Sequence, residues 1–144
     1  MNPLFPYAHI VAGVLVLIVG FVFHWVGQLI SLINWGYATK IGLQEEGLLD
    51  EYAVYERAIA VSDVALGWVY GLAGIGLILG ARWGYKLAWF PGVVLLYHAI
   101  GFWFWTGNRR KAGHPLTPTP VRIGWTIANG LTGVLAIWVA WPAH

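Results

Sequence analysis

The chain has 144 residues, 59% of them apolar and 10% charged, with a formal net charge of +2 and no cysteine. Soluble domains are about a quarter charged, so these residues cannot cover a water-facing surface, and the small, scattered positive charge excludes nucleic acid as a partner. Without cysteine there is no disulfide framework, no thiolate metal site and no thiol redox relay.

Residues 1–8 carry no Lys or Arg. The apolar run after them outlasts a signal-peptide core and has no small-residue cleavage site before Trp25, so it reads as a permanent segment. A hydrocarbon layer about 30 Å thick takes roughly 20 helical residues to cross. Four segments meet that length: residues 9–35, 55–79, 85–105 and 121–141. Their runs are long and continuous rather than short and alternating, which favours helices over barrel strands. The expected fold is an all-α integral membrane protein, an antiparallel bundle of four transmembrane helices forming one domain over residues 1–144.

Along the first segment Gly20, His24, Gly27 with Gln28, Ser31 and Asn34 recur at helical spacing. The first loop holds Gln44-Glu45-Glu46 and then Asp50-Glu51. These carboxylates suit the positive end of a helix dipole and allow the second helix to begin as early as Gly47. Within the second segment Glu56, Ala60, Asp63, Gly67, Gly71 and Gly74 follow at steps of four, three, four, four and three. One face therefore carries two carboxylates and a track of small residues. Gly67 with Gly71, and Gly76 with Gly80, are small-xxx-small pairs that let helices approach closely, and self-association through these glycine faces is expected.

Residues Gly80-Ala81-Arg82-Trp83-Gly84 make a tight turn into the third segment, where His98 shares a face with Gly101 and Trp105. The third loop, Thr106 to Pro120, carries Asn108-Arg109-Arg110-Lys111 and then Pro115, Pro118 and Pro120, which stop helix. The fourth segment contributes Thr126, Asn129, Gly133, Ala136 and Ala140 to an inward face. Lys40, Arg57, Arg109, Arg110, Lys111 and Arg122 flank the first and third loops, against Arg82 and Lys86 beside the second. The positive-inside rule then puts loops one and three in the cytoplasm and both termini outside the cell membrane.

Ionisable groups within a bilayer are costly and tend to mark function. Asp63, His24 and His98 are such groups here, with Glu56, Gln28, Ser31 and Asn129 as polar companions. At 1.5 Å per residue Asp63 lies about 9 Å in from Arg57, His98 about 16 Å from Arg109 and His24 about 20 Å from Tyr37. A polar pocket open to the cytoplasm and centred on Asp63 follows. It would bind a small or lipid-like molecule, or relay protons or cations, since histidines exchange protons near neutral pH. Trp25, Trp68, Tyr70, Tyr97 and Trp103 supply flat apolar walls or hold a cation over a ring, whereas Trp35, Trp83, Trp105 and Trp141 mark the membrane boundaries. His9, His114 and His144 are expected to be solvated.

Three other readings compete. The chain can be a non-catalytic accessory or anchoring subunit of a larger membrane complex, its inward polar groups fixing helix register and Arg109-Arg110-Lys111 touching lipid headgroups or a partner. His24 and His98 can clamp a haem b, two imidazoles from separate helices being a common arrangement. It can also be an enzyme on a membrane-soluble substrate with Asp63 or Glu56 as acid or base, although those two are about 10.5 Å apart along one face. No cofactor other than that haem is expected. The expected surroundings are membrane lipids, with a homo-oligomer or partner subunits.

The stretch from Tyr55 to Trp105 resembles small uncharacterised four-helix bacterial membrane proteins of the YvaD type. The likeness lies in Ser62-Asp63, the segment Gly74-Ile75-Gly76-Leu77, the Trp83-Gly84 turn and an aromatic third segment. It covers about half of the chain and implies the four-helix membrane fold, without an activity. The sequence does not resemble the cysteine-dependent quinone reductases, whose thiols it lacks.

Overall fold

The computed structural model describes residues 5–114 and 117–141. Pro115 and His144, for which loop and solvent positions were expected, lie outside them. Among the described residues every regular element is a helix. Four are long and apolar enough to cross a membrane: Ala8–Ile33, Asp50–Ile78, Arg82–Lys111 and Thr119–Ala140.

The helix ends depart from the sequence-based limits for local reasons. The first long helix stops at Asn34, whose backbone is extended and whose side chain accepts the Tyr37 N–H at 2.9 Å. Asn34 is therefore the exposed cap of a separate short helix, Trp35–Lys40, and not part of the inward stripe. A short amide side chain satisfies a free N–H better at a cap than inside a helix. The second long helix starts five residues before the expected 55, with Asp50 and Glu51 in its first turn, while Gln44-Glu45-Glu46 stay in the loop. The third begins at Arg82, after Gly80 turns the chain at φ +63°. It has one irregular residue, Ala88, where Pro91 offers no N–H to the Leu87 carbonyl.

That third helix runs on to Lys111. Asn108-Arg109-Arg110-Lys111, expected in the loop, form its last turn, where cations meet the negative end of the dipole. Pro120, expected to stop helix, instead sits in the first turn of the fourth, where proline's fixed φ and missing N–H do no harm. One feature left no trace in the sequence: Val16–Val26 winds as a π-helix.

Glycines set the helix contacts. Gly67 faces Trp25, Gly71 faces Phe21, and Gly74 faces Leu17 and the Gly13 backbone. Gly92 lies against Ile137 and the Gly133 carbonyl, Gly130 against Ala99, and Gly107 against Arg122. Gly76 abuts Gly84 and Trp83. The small-residue tracks thus pack the helices of one chain against each other. Two buried apolar clusters result, one around Ala12, Leu77, Ala88 and Val139, the other around Val16, Tyr70, Leu95 and Ala136.

Candidate functional site

The stripe of the second helix is buried as its spacing implies: Ala60, Asp63, Gly67, Gly71 and Gly74 all face inward. Asp63 meets histidines from two other helices. His98 Nε2 lies 3.2 Å from Asp63 Oδ1, and His24 Nδ1 lies 4.0 Å from Asp63 Oδ2. The two imidazole centroids are 4.4 Å apart. Behind them His24 Nε2 is 2.6 Å from Asn129 Oδ1, and Asn129 Nδ2 donates to the Trp125 carbonyl at 2.8 Å. Four helices therefore contribute to one buried polar knot, and the π-helical winding of the first carries His24 into it. Such windings recur at functional sites.

A cavity of about 730 Å³ leads from this knot to the first and third loops. Asp63, His24 and His98 form its floor; Gln28, Ser31, Glu56 and Tyr97 line its walls. Gln44 Nε2 donates to Gln28 Oε1 at 3.2 Å and to Ser31 Oγ at 3.0 Å. At the mouth Arg109 Nη1 donates to Glu45 Oε2, and Thr117 donates to the other Glu45 oxygen. These contacts join the two loops across the opening. A second cavity of about 230 Å³, between the second and third helices, touches Asp63, His98 and Tyr97 as well.

The aromatic walls differ from those expected. Trp68 lies half exposed on the outer face, its indole bonded to the Ala65 carbonyl at 3.1 Å. Trp25 stacks on Phe21 and donates to the Val64 carbonyl at 3.0 Å, so it packs two helices together. Trp103 lies under the Arg122 guanidinium at 3.7 Å. Tyr70 is buried in the apolar core, 6.3 Å from the His24 ring, and borders only the smaller cavity. The walls of the large cavity are instead Phe23, Tyr55, Phe102, Trp105 and Trp125, together with Tyr97. Trp105, expected at the membrane boundary, lines the cavity on the face it shares with His98 and Gly101, and its helix continues for six more residues. His9 is part-buried beside Tyr85, whereas His114 is exposed.

The mouth was not legible as a site. Glu45 and Arg109 each stood out as charges near a helix end, and nothing in their spacing pairs residues 64 apart in the chain. The haem arrangement needs the two imidazoles on opposite faces of a porphyrin. Here they converge on one carboxylate with their rings 4.4 Å apart.

The interior is divided across its length. On the second-loop side of the knot the buried side chains are glycine, proline or aliphatic, apart from Tyr70 and Thr132. On the other side they include Ser31, Thr106 and Arg109. Polar lining therefore reaches the knot from one end only among the described residues.

No protein-family model matches the chain, and no curated protein or solved structure is significantly similar to it. The resemblance over Tyr55 to Trp105 therefore assigns no family.

Proposed function

We propose that the chain is an integral membrane protein of four antiparallel transmembrane helices that holds a small amphiphilic molecule in a one-sided cavity, its polar head at Asp63 and His98. Large apolar side chains such as Val61, Leu66, Leu72, Val93, Ile100 and Leu131 face outward on these helices, as a lipid-facing surface requires. The antiparallel arrangement is supported by contacts in which residue numbers rise on one helix and fall on its neighbour: Trp25 to Gly67 and Leu17 to Gly74, then Gly92 to Ile137 and Gly107 to Arg122. The Lys and Arg bias puts the cavity mouth in the cytoplasm and both termini outside.

The observation that carries the binding role is the cavity itself. Its volume of about 730 Å³ falls within the 300–1,000 Å³ common for small-molecule sites, and aromatic walls with a few convergent polar groups are their usual lining. A lipid-like tail fits those walls, and the smaller cavity offers it a second way in between the second and third helices. A through-membrane proton relay is the weaker reading, because aliphatic packing closes the second-loop side of the knot.

The absence of cysteine makes the test clean. Gly101 lines the cavity, and a Cβ built there meets nothing within 4 Å. A Gly101→Cys variant should react with a membrane-impermeant thiol reagent from the cytoplasmic side, and ten-carbon alcohols or acids should slow that reaction. Ala136→Cys, buried in the apolar half, should stay unlabelled from either side. Equal labelling of Gly101→Cys with and without every amphiphile would remove the binding role.

A further inference from the structure

We infer that His24, Asp63 and His98 bind one divalent first-row transition-metal ion. The three side chains come from three helices, and each offers a donor atom within 4.8 Å of the others. Two imidazoles and a carboxylate are a donor set that suits zinc or ferrous iron.

The orientation of His24 is what separates this from an ordinary buried hydrogen bond. Because Asn129 Nδ2 donates to the Trp125 carbonyl, the amide oxygen is the atom facing His24 Nε2 at 2.6 Å. That oxygen can only accept, so Nε2 carries the proton. In the neutral imidazole the Nδ1 lone pair then points toward Asp63 Oδ2, 4.0 Å away. Asp63 is itself 9% exposed, and its Oδ2 has no hydrogen-bond donor. Two acceptors thus face each other across a gap too long for a hydrogen bond. A cation between them resolves the mismatch.

The donor atoms lie within 4.8 Å of one another and must draw in to hold one ion. Ligand bonds of about 2.0–2.1 Å at angles between 90° and tetrahedral put neighbouring donor atoms about 2.8–3.4 Å apart. Asp63 Oδ1 and His98 Nε2 already have that spacing at 3.2 Å. His24 Nδ1 and Asp63 Oδ2, at 4.0 Å, need to close by about 0.6–0.7 Å to span a tetrahedral angle at the same bond lengths. The chain from His24 to Asn129 to the Trp125 carbonyl is the outer support that holds a ligating imidazole in the right tautomer. All three side chains line the cavity. This rests on the binding role proposed above in one respect: the head of the bound amphiphile becomes an oxygen donor that completes the ion's coordination.

The test uses the full chain in detergent, purified without a histidine tag and stripped with a chelator. Cobalt(II), which reports its ligands through visible absorption, should bind at one ion per chain and be displaced by zinc. His98→Ala should abolish that binding, and Asn129→Ala should weaken it 10–100-fold, because Asn129 touches the ion only through His24. His9→Ala and His114→Ala should bind as the parent does. A parent protein that binds neither cobalt nor zinc overturns the inference whatever the variants do. So does binding that survives His98→Ala or disappears in His114→Ala. Metal binding without amphiphile protection of Gly101→Cys would refute the amphiphile and spare the ion; protection without metal binding would do the reverse.

Discussion

Replacing Glu45 with alanine should cost more stability than removing Glu45 and Arg109 together. Arg109 is 3% exposed, and among the described residues Glu45 is its one anionic hydrogen-bond partner, while Nε and Nη2 of the guanidinium have no acceptor. Tyr52 and Trp105 flank the charge at 5.5 and 5.7 Å, so the guanidinium cannot turn freely toward water. Removing one partner of a buried pair costs about 3–5 kcal/mol, because the other charge stays buried and unpaired. Glu45 is 30% exposed, and Glu56 lies near enough to Arg109 to attract it, so the lower end applies. A loss of about 3 kcal/mol corresponds to roughly 140-fold in the folding equilibrium. Replacing both partners by apolar groups removes the stranded charge, and such exchanges are often close to neutral. Glu45→Ala with Arg109→Met should therefore recover most of the loss. Reversible SDS unfolding in mixed micelles, run as a double-mutant cycle, measures each term. The reasoning fails if Glu45→Ala stays within about 0.5 kcal/mol of the parent, a change usual for exposed sites away from such features. It fails equally if the double variant is as unstable as the sum of the singles.

Further perturbations probe the packing and the floor. Gly84→Ala places a Cβ against the Gly76 backbone, which cannot move aside as a side chain would. That variant should fail to give a monodisperse folded protein in gel filtration, while Gly124→Ala, with open space around it, should elute as the parent does. Asn34→Ala removes the cap of Trp35–Lys40 and should cost about 1 kcal/mol. Amide exchange should speed up in that helix and not in the second or third. Trp25→Phe loses the bond to the Val64 carbonyl but keeps an aromatic ring on Gly67. It should lower stability by about 1 kcal/mol, read by the same SDS titration. Oxidised and dithionite-reduced visible spectra of the purified protein should lack a Soret band, given imidazoles 4.4 Å apart on one carboxylate.

The sequence was most legible where one periodicity ruled a long segment. The four-three spacing of the second helix put Asp63 on the face with Gly67, Gly71 and Gly74, and those residues are buried together. Depth was harder, because it depended on helix ends. Measured from Arg57, Asp63 lay about 9 Å in, and His98 about 16 Å from Arg109. Yet the helices begin at Asp50 and end at Lys111. Asp63 and His98 are each thirteen residues from those ends (63 − 50 and 111 − 98), or about 20 Å, which is why they meet. The end of the third helix was missed because a charged run reads as loop, whereas Arg109-Arg110-Lys111 are stabilised at the negative pole of their helix dipole, as Asp50-Glu51 are at the positive pole of theirs. Pairings such as Glu45 with Arg109 arise only once the bundle brings distant loops together.

The placement of the glycines explains why the cavity opens at one end. Close backbone approaches occur where Gly13 meets Gly74, Gly76 meets Gly84 and Gly92 meets Gly133, all on the second-loop side of the knot. There the helices crowd together, and the interior fills with alanine, valine and leucine. On the other side Gly101, which lines the cavity, has no neighbour within 4 Å of a built Cβ, and bulky Phe102, Trp105 and Trp125 stand where small residues would otherwise close the gap. The space left between these side chains is the cavity. Asp63, His24 and His98 sit at the junction of the two regions. The packed half holds them in place, and the open half leaves them lining the cavity. A buried carboxylate that only fixed helix register would need the first condition and not the second.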